Sequence, residues 1–479
     1  MGSDLWFSRR TFLQGAGAFS VANLAMWMGG CESCWQQIQN RPTRRNIANL
    51  PANDPIIQAY QAAVTAMKAL PPGDPRSWTA QAQIHFDHCP HQNWWWLPWH
   101  RAFLAYFERI CRKLSGHDDF ALPYWNWTTS PSVPAPFWGN GNPLFDPNRG
   151  IGPADTADPS WVSAPVIDGI LGITNFYDFA SYPATTQRQR TTFGMLESTS
   201  HNPIHPWVGG FSGDMTGFHS PLDPVFWCHH NILDCLWNEW NINRGNPNTN
   251  DPNWWNLHFT EFVDENGAAV DIAAGLTVLF PIFDYQFEPC GPAHTGAGAM
   301  NKSAMSKADL EKFLRAGAPV KFEITQHFEL QRAVATEVGR PMRSVAKIED
   351  QVLRGALESA DKAVMLTVDG VEIPEKTDYF VRVFLGKPDA SPGTPITDAH
   401  YGGSFGFFHD AAPMKDMPAH EKFGYLVDVT SALRRLNQSG SLTSGKLDVT
   451  LVPAVYEHRQ AEGQKLAIEK LEVSIAQIR

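Results

Sequence analysis

Histidine placement is the first chemical signal in this chain. Ten of the 17 histidines lie between His85 and His230, where an even spread would put about five. His85, His88, His91 and His100 share one short run with the thiol of Cys89. A second group follows, with His201 and His205 four apart and His229 and His230 adjacent. Imidazole suits zinc, copper, iron and nickel. Zinc sites commonly bring in Cys or a carboxylate, and di-iron sites are carboxylate-rich. Two groups of about three neutral imidazoles, needing no thiolate or carboxylate, favour a dinuclear centre, and copper fits that donor set best. Spacing by itself leaves the metal open.

Rigid elements must hold these rings. Pro98 is tolerated in a first helical turn, so His100 stands near the start of a helix running to Leu114. Trp94, Trp95, Trp96, Trp99 and Phe103 form a dry aromatic wall there, where an unpaired charged imidazole would be costly. If His201-Asn202-Pro203-Ile204-His205 is helical, both imidazoles share one face, with Pro203 near the helix start. Asp223 can cap, and Pro224 can open, a helix from Val225 to Trp240. Adjacent helical residues diverge by about 100°, so His229 and His230 cannot both face one metal. Asp234, one turn after His230, is placed to orient an imidazole.

The chain of 479 residues is 43% hydrophobic and 18% charged, a globular composition with room for two to three domains. Its net charge of −11 argues against a nucleic-acid binder. Residues 50 to 290 combine amphipathic helical stretches, such as Ile56 to Leu70, with Pro- and Asn-rich turns. Beyond 320 the pattern alternates with period two, as in Val320–Ile324, Ala363–Val368, Phe380–Leu385, Leu447–Val452 and Ala467–Ile475. Such runs between Gly, Pro and Asp turns indicate a β-sandwich or barrel. The expected order is a signal region at 1–35, a metal domain at 36–300, a linker at 301–320 and a β-domain at 321–479.

Arg9-Arg10 before a modest apolar run resembles a twin-arginine signal and implies a periplasmic or secreted protein. Gln14 and Asn23 interrupt that run, so no stable membrane span is expected. Seven cysteines are too dilute for a disulfide scaffold. Cys31-x-x-Cys34 lies beside the signal and reads as incidental. Cys111, Cys228 and Cys235 sit in apolar helical patterns and read as core residues.

Together the two histidine segments resemble the copper A and copper B motifs of the tyrosinase and catechol oxidase family of type-3 copper proteins. The likeness spans roughly residues 50 to 290 and includes Leu122-Pro123-Tyr124-Trp125-Asn126-Trp127. Tyr401-Gly402-Gly403-Ser404-Phe405 carries a weaker likeness to the C-terminal domain of plant polyphenol oxidases. The resemblance implies a mainly α-helical catalytic domain with a four-helix bundle around two copper ions, followed by an all-β, sandwich-like C-terminal domain.

It also implies roles. His85, His91 and His100 would bind one copper, and His201, His205 and His230 the other, with His229 and Asp234 behind them. Cys89 would form a thioether with His91. Glu197 and Asn202 would hold a water that accepts the proton of a phenol. Gly217, 13 residues before His230, would overhang the site with Phe218 next to it, implying an open entrance. Phe405, Phe407 and Phe408, on the loop from Gly403 to His409, would belong to a lid. The implied reaction is ortho-hydroxylation of monophenols and oxidation of o-diphenols to o-quinones, with small phenols as substrates and O2 as co-substrate. Rival expectations are a catechol oxidase, an o-aminophenol oxidase, a hemocyanin-like O2 carrier and a hydrolytic zinc protein.

Overall fold

The computed structural model describes residues 41–292, 322–408 and 422–478, except 373, 375, 376, 443 and 444. The expected signal, Cys31-x-x-Cys34, the linker and His409 lie outside the described residues. No helix among the described residues is long and apolar enough to cross a membrane.

The N-terminal region is a helical core. Helix α1 spans Pro55–Ala69, capped by Asp54, whose side chain accepts from the Ile56 N–H. Helix α2 covers Trp78–His88 and is capped by Ser77. Helix α3 runs Trp96–Ser115 and ends at Gly116, whose φ of 69° fits a residue without Cβ. It begins a turn earlier than His100, with Pro98 inside its first turn, where a missing N–H costs nothing. Helix α4 is short, Ile204–Gly209, and α5 spans Val225–Asn238. Helix α3 packs against both α1 and α5, and α2 packs against α1. Trp94, Trp95, Trp96, Trp99, Trp125, Trp127, Trp227 and Trp237 are all buried in this region.

His201 and His205 do not share one α-helix. Leu196–His201 is a π-helical turn, in which the Asn202 N–H donates to the Glu197 carbonyl, and α4 starts only after Pro203. Pro203 has no N–H to continue a ladder, so the chain changes helix type there. The rings still meet, with centroids 4.5 Å apart.

A second departure concerns sulfur. Cys235, on α5, is bonded to Cys290 across 55 residues. Cys235 is buried in the core as expected, but the bond to Cys290 means that it is not a free thiol. Cys111 and Cys228 are free and buried as expected.

The C-terminal region is built on strands. In chain order β1 is Thr192–Phe193, β2 Phe322–Glu337, β3 Met342–Lys347, β4 Lys362–Glu372, β5 Tyr379–Leu385, β6 Tyr401–Phe405, β7 Lys422–Asp428, β8 Lys446–Val455 and β9 Lys465–Ile478. They form a four-stranded sheet ordered β6-β5-β8-β3 and a five-stranded sheet ordered β1-β7-β4-β9-β2. Residues of β3 alternate buried and exposed, as one covered face requires. Phe405 of one sheet stacks on Tyr425 of the other at 4.4 Å. Helices α6, Asp350–Glu358, and α7, Thr430–Gln438, pack together beside the strands. Strand β1 comes from the helical region, 129 residues before the next strand of its sheet begins, and pairs in parallel with β7. The two regions are therefore joined by backbone hydrogen bonds as well as by side chains.

Candidate metal centre

Helix α2 supplies His85 near its C-terminus, the turn after it supplies Cys89 and His91, and α3 supplies His100. The π turn supplies Glu197 and His201, α4 supplies His205, and α5 supplies His229 and His230. All of these side chains are buried. The ring centroids of His85, His91 and His100 lie 5.1 to 5.5 Å apart. Those of His201, His205 and His230 lie 4.5 to 5.4 Å apart. The trios meet where His91 faces His201 at 4.9 Å and His100 stacks on His230 at 4.3 Å.

The Nδ1 partners fix which nitrogen faces the centre. A carbonyl only accepts, so a ring nitrogen beside one must carry the proton. His85 Nδ1 donates to the Phe218 carbonyl at 2.6 Å, His100 Nδ1 to Trp96 at 2.7 Å and His205 Nδ1 to Met215 at 3.0 Å. His201 Nδ1 faces Asn202 Oδ1 at 2.9 Å, and His91 Nδ1 faces Glu197 Oε1 at 3.2 Å. Each neutral ring then turns an Nε2 lone pair inward. His85 Nε2 and His91 Nε2 are 3.4 Å apart, and His205 Nε2 and His230 Nε2 are 3.3 Å apart. Nε2 of His100 and of His201 has no hydrogen-bond partner. Converging lone pairs repel unless a cation lies among them, so the donor set fits metal ions.

Burial also keeps these rings neutral, as ligands must be. It lowers His85 and His201 to about 3, and His91, His100, His205 and His230 well below the ordinary imidazole value. His88 stays at the exposed end of α2. His229 has a different environment: its Nδ1 accepts from Trp127 Nε1 at 3.2 Å, although its ring nitrogens lie close to those of the second trio.

Asp234 does not orient His230. Its carboxylate accepts from Arg101, from Arg44 Nη1 at 3.0 Å and from the Tyr285 hydroxyl. A buried carboxylate takes countercharge first, and two guanidiniums use its oxygens. The His230 Nδ1 is left without a partner.

Glu197 is fully buried, and burial raises its carboxyl to about 8. One oxygen accepts from the Gln92 N–H at 2.8 Å and the other from the Ser181 hydroxyl at 2.5 Å. The amide of Asn202 donates to the Gly406 carbonyl at 3.2 Å. Cys89 Sγ falls in one donor group with His85 and His91, and burial pushes its thiol up to about 12.

The entrance is not open at Gly217. Phe218, held by its carbonyl to His85, lays its ring parallel to His91 at 5.6 Å. Phe408 arrives from the C-terminal region, 4.1 Å from His205, 4.9 Å from His91 and 5.3 Å from His201. Phe405 and Phe407 point instead into the C-terminal core, against Tyr425 and Tyr379. Sequence reasoning missed Ser181, which lies 16 residues from Glu197 with no motif to connect them.

The family model for the common central domain of tyrosinase matches residues 74–172 and 163–243. A tyrosinase of Hahella sp. (strain CCB-MM4) is 24% identical over 86% of this chain and 95% of its own. The latent form of polyphenol oxidase from Prunus armeniaca, a chloroplastic protein, is 27% identical over 86% of this chain and 73% of its own. Latent apple tyrosinase superposes with a TM-score of 0.68 at 20% identity, covering 91% of this chain and 97% of that one, which shows the shared fold. Tyrosinase-family proteins bind a dinuclear copper centre, and the clustered imidazoles are positioned for metal. Over most of its length the chain is similar to tyrosinases and polyphenol oxidases, and its residues 74–243 match the tyrosinase central domain.

Proposed function

We propose that the protein hydroxylates monophenols ortho to their oxygen and oxidises o-diphenols to o-quinones with O2. His85, His91 and His100 hold one copper, and His201, His205 and His230 the other, with His229 behind them. One observation carries this reading: five of the six imidazoles have Nδ1 turned to an oxygen, so their Nε2 atoms converge on one dry space. When bound, the copper pair supplies the binding and reduction of O2.

The chain supplies geometry, dryness and proton handling. A phenol has a pKa of about 10 and must shed its proton to bind as phenolate. Glu197, with Asn202 beside His201, receives that proton through water, while Ser181 and the Gln92 N–H hold its carboxylate. Phe218 and the surrounding tryptophans exclude bulk water. A thioether between Cys89 and His91 fixes that ring, a role supported by their common donor group.

In this reading α1, α2, α3 and α5 form the four-helix bundle of a catalytic domain at 36–300. A linker at 301–320 leads to a sandwich-like domain at 321–479. Phe408 occupies the place of a substrate ring, so the full chain is latent, as the name of the Prunus armeniaca relative says of that protein. The Cys235–Cys290 disulfide suits an oxidising compartment and supports export, by the twin-arginine route in this reading.

The cover over the imidazoles also favours an O2-carrier reading, since O2 can pass where a phenol cannot. The test uses the full chain with Phe408→Ala, loaded with metal. Two coppers per chain and oxidation of a monophenol after a lag are expected. Turnover of catechol or o-aminophenol alone reduces the activity to that of a catechol or aminophenol oxidase. Reversible O2 uptake with no phenol turnover overturns the enzyme reading.

A further inference from the structure

Away from the imidazoles, two carboxylates meet beside α4. Asp146 lies in the loop before Arg149, and Asp214 opens the 3-10 turn Asp214–Thr216, which packs on α4. The loop and the segment around the turn run side by side. The Gly150 N–H donates to the Val208 carbonyl at 2.8 Å, and a Cβ added at Gly213 would lie 2.7 Å from the Asn148 carbonyl oxygen. Asp146 is 5% exposed. Its Oδ1 accepts from the Asn148 N–H at 2.8 Å, whereas its Oδ2 is enclosed and has no hydrogen-bond partner among the described residues. Asp214 is half-buried. Burial raises its carboxyl to about 6, and Asp146 is the strongest charge acting on it, followed by Asp223.

The neighbouring cations are engaged elsewhere. Arg149 Nε and Nη2 donate to Asp223 at 2.7 and 2.5 Å, and its Nη1 and Nη2 donate to the Phe137 and Leu144 carbonyls. Lys68, in the last turn of α1, draws Asp214 downward, but its Nζ donates to the Pro143 carbonyl at 3.0 Å and lies 5.4 Å from the Trp78 ring. A buried carboxylate oxygen without a partner is costly, and a second carboxylate beside it adds repulsion. A bound cation relieves both. The donors are all oxygens, from Asp146, Asp214 and the Asn148 carbonyl, and such sets suit Ca2+, Mg2+ or Mn2+ and not copper or zinc. They come from two irregular segments, which fits the variable coordination of Ca2+ better than the strict octahedron of Mg2+.

The turn that begins at Asp214 also carries Met215, whose carbonyl accepts from His205 Nδ1 at 3.0 Å. Thr216 Oγ1 ties the other end of the turn to the Gly210 carbonyl at 2.7 Å. A cation joining Asp214 to the 146–148 loop therefore steadies the acceptor that orients His205. We propose that Asp146, Asp214 and the Asn148 carbonyl bind a calcium ion, with water completing its shell, and that the ion braces the turn that orients His205. The calcium site stands independently of phenol oxidation, and the brace rests on His205 as a metal ligand.

The test uses the full-length, copper-loaded protein. Calorimetric titration with CaCl2 should show one saturable site with a Kd of about 0.1 mM, and MgCl2 should bind more weakly. Asp146→Asn and Asp214→Asn should each weaken calcium binding about tenfold or more, whereas a change at the exposed Asp118 should not. The concentration of a copper(I)-selective chelator that removes half the copper, with ascorbate present, should rise about fivefold when calcium is added to the parent protein and stay unmoved in both variants. Absence of saturable calcium binding by the parent protein overturns the site, as does binding that both variants retain. Binding that depends on both carboxylates but leaves the chelator midpoint unmoved overturns the brace. Calcium binding and bracing in a protein that oxidises no phenol uphold this inference and overturn the proposed activity instead.

Discussion

The two halves of the metal centre are held by different parts of the chain. The rings of His85, His91 and His100 are oriented by Phe218, Glu197 and Trp96, all from the helical region. His201 is oriented by Asn202, whose amide reaches Gly406 in the C-terminal region. The π turn that carries His201 is bonded to the same strand end. Thr199 Oγ1 donates to the Ser404 carbonyl at 2.7 Å, and the Gly406 N–H to the Ser198 carbonyl at 2.8 Å. Phe408 then packs on His205. The first half is oriented from within its own region and meets the C-terminal region through Phe408 beside His91, whereas the second half is tied to that region by hydrogen bonds. π-Helical turns recur at functional sites, and here the turn carries His201 and joins the clustered imidazoles to the covering region. Movement of that region should therefore be felt at one metal before the other.

Loss of a ligand is expected to have the largest effect and to hide this asymmetry. His100→Ala and His205→Ala should each abolish phenol oxidation and leave about half the copper of the parent. Elemental analysis checks the second point, and full copper retention in either variant would remove that residue from the ligand set.

The covering ring comes next. Phe408→Ala should raise turnover by the full chain about tenfold or more, because the competent state no longer competes with the cover. Phe405→Ala removes a ring from the C-terminal core and should cost about 3 kcal/mol of stability without that gain. Equal activity in the two variants would contradict the distinction between Phe405 and Phe408.

The disulfide lies behind the second half, on α5. Removing it with Cys235→Ala and Cys290→Ala frees a loop of 55 residues and should cost roughly 4 kcal/mol on the chain-entropy account. Thermal melting measures the loss, and copper should leave the second site first.

Acid should act on both halves. Burial depresses His85 and His201 from 6.5 to about 3, so below pH 6.5 the unfolded chain binds protons that the folded chain refuses. The contribution of these rings is present above pH 6.5 and is lost as pH falls toward 3. Denaturant midpoints of the metal-free protein across that window check the sign, and a flat profile would contradict it.

The smallest effect sharpens the comparison most. Thr199→Val strips the hydrogen bond to the Ser404 carbonyl from the junction, at about 1 kcal/mol. Selective loss of the second copper is expected, whereas equal loss of both would mean that the halves are supported as one unit.

Much of the frame was legible in the chain. The period-two runs from Ala363, Phe380, Leu447 and Ala467 all lie within strands, because successive side chains of a strand point to opposite faces. Helices α1, α3 and α5 were readable from apolar spacing with Pro near their starts. The error at His201–His205 arose because i, i+4 spacing does not distinguish an α-helix from a π turn followed by a new helix. The error at Asp234 arose because sequence spacing gives proximity to His230 and not competition from Arg44 and Arg101. Gly217 suggested an open entrance because its neighbour's ring direction depends on a hydrogen bond to His85, 133 residues away.

The sequence by itself determined the donor types, their segregation into two groups and the change from helical to strand periodicity. These properties follow from local chemistry and from the repeat of one element. Only the tertiary structure decided which nitrogen of each ring faces inward and which phenylalanine covers the imidazoles. It also decided that Cys235 is bonded to Cys290 and that Asp146 lies beside Asp214. Each of these depends on atoms far apart in the chain, whose meeting has no local pattern and is set by the packing of one region on another.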